Sequence, residues 1–276
     1  MPSEMLDMMT EASIKAGQTI MDVYAEPIQS ETKSDGSPVT VADERAEKII
    51  LSYLNKTGIP VLAEESAAAG HIPELGRRFF VVDPLDGTKE FINRNGQFTV
   101  NIALVEDGLP TMGVVLAPAL GQLFVGDKDG AFEYKMVEGK PTNKTPLNVA
   151  KSGPMNIVAS RSHGHKALEP LCEAFDVKGN VSVGSSLKFC LLARGEAWLY
   201  PRFTPTCEWD TAAGQAILQA AGGTVFAIAG TELTYGKSEG QFYNPYFAAA
   251  ANAELAKRAA DKIRELVGSE GDVKLT

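Results

Sequence analysis

Apolar residues recur at helical spacing near the start of the chain: Leu6, Met9, Ala16, Ile20 and Val23, up to Pro27. This spacing predicts an opening helix. The polar loop SETKSDGSPVT follows, punctuated by Gly36 and Pro38. Thr40 stands where it can cap a second helix, whose buried face includes Ala42, Ala46, Ile49, Ile50 and Tyr53 and which ends at Gly58. Two short apolar runs come next, IPVLA and FFVVD, each stopping at carboxylates. Their unbroken apolar character predicts strands buried on both faces.

Between residues 98 and 134 the pattern changes. FTVNIALVEDG, TMGVVLAP, QLFVGDKDG and AFEY are strand-like pieces separated by Gly-containing turns, as in an antiparallel meander. A Lys- and Pro-containing stretch, 138–154, leads into alternating elements. MNIVAS, VSV, EAWLY and TVFAI read as strands, with helices near 165–175, 186–194, 211–221 and 252–267. The chain is therefore expected to be a mixed α/β protein in two parts, 1–150 and 151–276. From Thr211 to Thr231 no residue is charged, a run long enough to span a membrane. It contains Gln215, Gln219 and the pair Gly222-Gly223, so a helix stopping at Gly222 and a buried strand fit better. No membrane span is expected.

Composition narrows the class. Of 276 residues, 44% are hydrophobic and 22% charged, the mix of a globular protein with a core large enough to fold without disulfides. A disordered tail, a collagen-like chain and a small disulfide scaffold are excluded. The formal net charge is −9, which disfavours long nucleic acid and anionic lipid as partners. A small anionic substrate then needs local cations or amides to mask the field. Cys172, Cys190 and Cys207 are an odd number without CxxC spacing and read as reduced thiols in a cytoplasmic chain. The first ten residues, MPSEMLDMMT, lack the basic cluster of a signal peptide.

The chemistry concentrates where the buried strands end. Glu64 and Glu65 follow PVLA, and Asp83 and Asp86 bracket Pro84-Leu85. Carboxylates in apolar surroundings need neutralising, and a hard divalent cation such as Mg²⁺ does this with oxygen ligands. Pro84 stiffens the turn and can direct the Leu85 carbonyl into the same space. Gly87 and Thr88 open a short helix, TKEFINR, where a phosphate can approach the backbone. Asp210, in CEWDTAAGQA, is expected to cap a later helix. Taken singly, a turn explains DPLDGT and a cap explains Asp210 as well as a metal site does.

Together these segments resemble the inositol monophosphatase-like superfamily of metal-dependent, lithium-sensitive phosphatases. Its pattern of a Glu-Glu pair, DPxDGT and WDxAAG stands intact as Glu64-Glu65, Asp83–Thr88 and Trp209–Gly214. DPLDGTKEF, SRSH and VGSSLKFCLLARGEAWLYPRF are most similar to the 3′(2′),5′-bisphosphate nucleotidase branch. The resemblance implies a layered αβαβα sandwich of the inositol monophosphatase/fructose-1,6-bisphosphatase type. It implies Mg²⁺ held by Glu64, Asp83, the Leu85 carbonyl, Asp86 and Asp210, and the scissile phosphate held by Gly87 and Thr88. Asp43 and Thr88 match positions that orient the attacking water, with Glu65 behind the ligands. Ser185, Lys188, Arg202 and His163 match positions around the nucleotide. The implied reaction is removal of the 3′-phosphate from adenosine 3′,5′-bisphosphate, with the sulfated analogue also a substrate, as part of sulfur assimilation. An inositol or sugar monophosphatase is the runner-up, separated by whether Lys188 and Arg202 face the site. A catalytically silent nucleotide sensor is the alternative of another class, and no ligand carboxylate is missing to favour it. A homodimer and peripheral association with the inner membrane stay open.

Overall fold

The computed structural model describes residues 4–27, 30–32, 38–159, 165–237 and 242–268. Helix α1 (Glu4–Tyr24) buries Leu6, Met9, Ala16, Ile20 and Val23, the residues whose spacing predicts it. Helix α2 (Val41–Leu54) starts with a capping box. The Thr40 hydroxyl accepts from the Ala42 N–H at 3.2 Å, and the Asp43 carboxylate accepts from the Thr40 N–H at 2.8 Å. Ala42, Ala46 and Ile50 are buried on α2 as expected, whereas Ile49 and Tyr53 are only half-buried. The same buried face carries two carboxylates, Asp43 and Glu47.

Both helices cover one face of a seven-stranded sheet. Its strands lie in chain order: Val61–Ala63, Arg78–Asp86, Thr99–Glu106, Leu109–Ala117, Gln122–Asp127, Gly130–Val137 and Lys140–Pro146. The first pair is parallel and every later pair antiparallel. The meander thus runs one strand further than the apolar pattern indicates. Lys140–Pro146 is an almost wholly exposed edge strand, so it has no hydrophobic alternation to betray it. Two short helices, α3 (Glu64–Ala68) and α4 (Thr88–Ile92), follow directly on strands of this sheet. Glu64 and Glu65 therefore open a helix rather than end a strand.

The second sheet has the order Gly179–Ser182, Asn156–Ala159, Leu199–Arg202, Phe247–Ala250, Thr224–Ala227. Phe247–Ala250 pairs antiparallel with both neighbours and is absent from the sequence reading. Its alanines are the best helix formers, and only pairing on both sides makes them a strand. Helices α5 (Leu168–Ala174) and α8 (Ala253–Val267) cover the outer face of this sheet, while α6 (Leu187–Ala193) and α7 (Ala212–Ala220) lie between the sheets. The layers run helix, sheet, helix, sheet, helix. The fold is the αβαβα sandwich expected. The uncharged stretch 211–231 becomes α7 and the strand Thr224–Ala227. Among the described residues no helix is long and apolar enough to cross a membrane.

A continuous apolar cluster joins the two halves, with Phe79, Val81 and Ala103 of the first sheet meeting Leu187, Phe189 and Ile217. Gly113 and Gly126 are register partners on adjacent strands and let α7 lie directly on the sheet. A Cβ on Gly113 would collide with the Ala213 carbonyl oxygen, and one on Gly126 would sit 2.7 Å from the Ile217 Cα.

Candidate active site

Strand alternation decides which residues face the second half. Phe79, Val81, Ala103 and Val105 point toward α6 and α7, while Phe80, Val82, Ile102 and Leu104 point toward α1 and α2. Asp83 and its register partner Asn101 continue the first set. Residues three apart on a regular strand face opposite sides, so Asp86 would point away from Asp83. The pairing shifts between them: Asp83 pairs with Asn101 but Asp86 with Thr99. This irregularity at Pro84-Leu85 turns both carboxylates to one side. Oxygens of Asp83, Asp86 and Asp210 lie within 4.8 Å of one another.

Gly87 follows in the left-handed conformation, φ 94°, and α4 begins at Thr88. The Thr88 hydroxyl lies 3.2 Å from Asp43 Oδ1 and 3.4 Å from the Leu85 carbonyl. Asp43 is buried, and its other oxygen accepts from the N–H and hydroxyl of Thr40 at 2.8 and 2.7 Å. One turn along α2, the Glu47 carboxylate accepts from the Glu65 and Ser66 N–H groups at 2.8 and 2.9 Å and from the Ser66 hydroxyl at 2.5 Å. It thereby satisfies the free donors at the start of α3. A single helix face thus fixes both segments that follow the strand ends.

From the other half, Asp210 stands one residue before the Thr211 N-cap of α7 and does not cap that helix. Its Oδ2 accepts from the Cys207 N–H at 2.9 Å, which closes the turn instead. The turn is braced from below. Buried Glu208 accepts from the Gly236 and Lys237 N–H groups and from the Lys237 ammonium at 2.8, 3.0 and 3.0 Å. Asn244 donates to the Thr211 hydroxyl at 2.8 Å and to the Cys207 carbonyl at 3.0 Å. Trp209 packs at the edge of the core near Phe242, not over the cleft.

Electrostatics single out the carboxylate cluster. Burial, then the charges of Glu64, Asp86 and Asp210, push the Asp83 carboxyl well above the usual carboxylate range, and Glu64 hydrogen-bonds to it. Asp210 is raised for the same reasons, burial first and then Asp86 and Glu64. An all-oxygen set of crowded, desolvated carboxylates fits a hard divalent cation, which removes the repulsion that raises these values. Glu64, Asp83, Asp86 and Asp210 are the residues that would hold it, with the Leu85 carbonyl beside Thr88.

Asp86, Gly87 and Asp210 line one cavity together with Lys89, Glu90, Ser185, Lys188 and Arg202. Lys188 and Arg202 therefore face the site. Burial pulls the Lys188 ammonium down to about 8, against the attraction of Asp86. The ammonium donates to the Ser185 carbonyl at 2.6 Å, and Arg202 Nε donates to the Thr204 carbonyl at 3.1 Å. Ser185 itself sits at φ 50°. Glu65 is among the residues lining another cavity, with Glu44, Glu47, Lys48 and His71, and its N–H donates to Glu47 at 2.8 Å. His163 lies outside the described residues.

The sequence reading misses Glu47, Asn101, Ser186 and Glu208. Glu47 has a signal in retrospect, because it falls four residues after Asp43 on the apolar side of α2. The other three have none, since their partners are 15 to 100 positions away in the chain.

The layered fold and its acidic cleft at the strand ends are those of a phosphatase family. The family model described as the inositol monophosphatase family matches residues 1–266, and the chain belongs to that family. Within it, the 3′(2′),5′-bisphosphate nucleotidase CysQ of Salmonella typhimurium is 44% identical over 247 residues, 88% of this chain and 98% of the relative. The crystal structure of CysQ from Bacteroides thetaiotaomicron, a bacterial member of the family, is 37% identical, with a TM-score of 0.76 over 90% of this chain and 97% of that one. An IMPase from Thermotoga maritima, 23% identical, shares the fold with a TM-score of 0.76, covering 97% of this chain and 100% of that chain.

Proposed function

We propose that the protein is a Mg²⁺-dependent 3′(2′),5′-bisphosphate nucleotidase that converts adenosine 3′,5′-bisphosphate to AMP and inorganic phosphate, and also accepts the sulfated analogue. The observation that carries this reading is a cavity shared by carboxylates and cations. Asp86, Gly87 and Asp210 line it, and Lys188 and Arg202 bring two cations to the same space. An inositol monophosphate has no second phosphate for those cations to meet. The named activity of the CysQ relatives supports the same substrate class.

Glu64, Asp83, Asp86, Asp210 and the Leu85 carbonyl would hold Mg²⁺, which would supply positive charge at the scissile phosphate and lower the pKa of the attacking water. The protein's own groups do the rest. Asp43, held by Thr40, keeps one oxygen toward Thr88, and the Thr88 hydroxyl orients the water for in-line attack. Asp43 backs Thr88 in this scheme through the contact it makes, with Glu65 behind the metal-holding residues. The water oxygen forms a bond to phosphorus and gives up a proton, the bond from phosphorus to the ribose 3′ oxygen breaks, and that oxygen takes up a proton in its place, so the step is proton-neutral overall. Gly87 lets the transferred phosphate reach the backbone, and Lys188 and Arg202 anchor the 5′-phosphate against the net charge of −9. A cytoplasmic location belongs to this proposal, and the reduced thiols of Cys172, Cys190 and Cys207, none of them in a disulfide, support it.

Phosphate release from adenosine 3′,5′-bisphosphate, its 2′,5′ isomer, inositol 1-phosphate and fructose 1,6-bisphosphate tests the reading. The first is expected to have the highest kcat/KM. Lys188→Ala or Arg202→Ala should cut that value by roughly ten- to a hundredfold and leave inositol 1-phosphate hydrolysis little changed. A preference for inositol 1-phosphate, or equal losses on both substrates, would overturn it.

A further inference from the structure

Asp86 belongs to the first half of the chain and Asp210 to the second, so no single element sets the distance between them. Ser186, 2% exposed, lies between them. Its N–H donates to Asp86 Oδ2 at 2.6 Å, and its hydroxyl donates to the Asp210 carbonyl at 2.6 Å. Asn101, 1% exposed, donates through Nδ2 to the Ser186 hydroxyl at 3.0 Å and to Asp86 Oδ2 at 3.3 Å. The proton count closes: two amide hydrogens, one hydroxyl hydrogen and one backbone hydrogen each find an acceptor. The Asn101 amide can only be oriented this way, because its reverse would aim a carbonyl oxygen at a carboxylate. That orientation leaves Asn101 Oδ1 buried without a partner, a cost the molecule accepts to direct both hydrogens at the site.

We infer that Asn101 and Ser186 are positioning residues that lock Asp86 and Asp210 at the separation a divalent cation requires, and so couple the docking of the two halves to metal binding. This rests on the metal-dependent reading above. Neither side chain is assigned to substrate; both act through the two carboxylate-bearing segments. With Asp86 Oδ2 occupied by two donors, Oδ1 is the oxygen left for a cation. Hydrogen bonds of this kind behind metal ligands typically change metal affinity ten- to a hundredfold.

The test uses the full chain stripped of metal by a chelator and titrated with Mg²⁺ by calorimetry. Ser186→Ala removes the hydroxyl but keeps the N–H bond to Asp86; Asn101→Leu keeps the size and removes both amide donors. The apparent Mg²⁺ dissociation constant should rise about tenfold in Ser186→Ala and at least as much in Asn101→Leu. At saturating Mg²⁺, kcat and the KM for adenosine 3′,5′-bisphosphate should return close to wild type. Unchanged Mg²⁺ affinity in either folded variant, with only a lower thermal midpoint, would reduce the pair to ordinary core hydrogen bonds and overturn the inference. A kcat loss that excess Mg²⁺ does not restore would overturn it as well. Should Ser186→Ala fail to fold, Asn101→Leu decides alone. A wild-type chain that takes up no Mg²⁺ would instead overturn the function reading, and this inference with it.

Discussion

Asp83 concentrates the conflict between folding and function in one side chain. It is buried, faces Glu64, Asp86 and Asp210, and holds its proton far more tightly than an exposed aspartate. A carboxyl whose folded pKa is raised above its unfolded value stabilises the fold below the unfolded value, and that contribution is lost as pH rises through the folded one. Metal-free protein should therefore lose stability from about pH 4 upward, in the direction opposite to that of a salt-bridged aspartate. Asp83→Asn removes the carboxyl that must take up a proton to be buried beside Glu64, Asp86 and Asp210. It should abolish Mg²⁺-dependent turnover, flatten the pH dependence of metal-free stability, and raise the midpoint in EDTA by at least about 2 °C, the shift that ~1 kcal/mol produces in a chain of this size. Thermal melts in EDTA from pH 5 to 8, beside phosphate release at millimolar Mg²⁺, check all three. Near-normal activity in this variant would remove Asp83 from the metal site.

Elements carry these residues into place by contacts the side chains themselves do not make. Helix α2 presents Asp43 and Glu47 one turn apart to the two segments that follow the strand ends, so its capping box serves orientation as well as stability. Helix α7 brings Asp210 to the sheet only because Gly113 and Gly126 leave room for its backbone. Gly113→Ala should cost about 1–3 kcal/mol by overpacking and weaken Mg²⁺ binding as α7 is displaced. Gly76 has open space around it, and Gly76→Ala is expected to be silent in both measurements. Urea unfolding and Mg²⁺ titration of the two variants make the comparison. Equal behaviour would mean that α7 sits on the sheet less tightly than this packing requires.

At the scale of the whole molecule, one apolar cluster crosses residue 150, while the cluster beneath α1 and α2 and the one beneath α8 each stay on one side of it. We propose that residues 1–150 and 151–276 unfold together, because Phe79, Val81 and Ala103 share one core with Leu187, Phe189 and Ile217. Calorimetry should show one transition whose calorimetric and van't Hoff enthalpies agree. Mg²⁺ at 100 times its dissociation constant should stabilise that transition by about 2.7 kcal/mol. Two resolved transitions would show that the halves are independent domains joined mainly at the metal site.

The amino-acid sequence by itself determined the order of most helices and strands, the acidic segments Glu64-Glu65 and Asp83–Asp86, and the αβαβα class through its resemblance to a family. These are legible because periodicity, turn residues and short motifs are local, each readable within about a dozen positions. The strand Lys140–Pro146 escaped notice because an exposed edge carries no apolar period, and Phe247–Ala250 because its alanines become a strand only between two neighbours. The tertiary structure alone decided that Asp83 and Asp86 face the same side, since the shift in pairing is set against Thr99 and Asn101 on another strand. It alone released Asp210 from its expected cap and joined Asn101, Ser186 and Asp210 across more than a hundred positions. Hydrogen-bond partners that distant leave no periodic mark, because their proximity is set by how the layers stack and not by the chain between them.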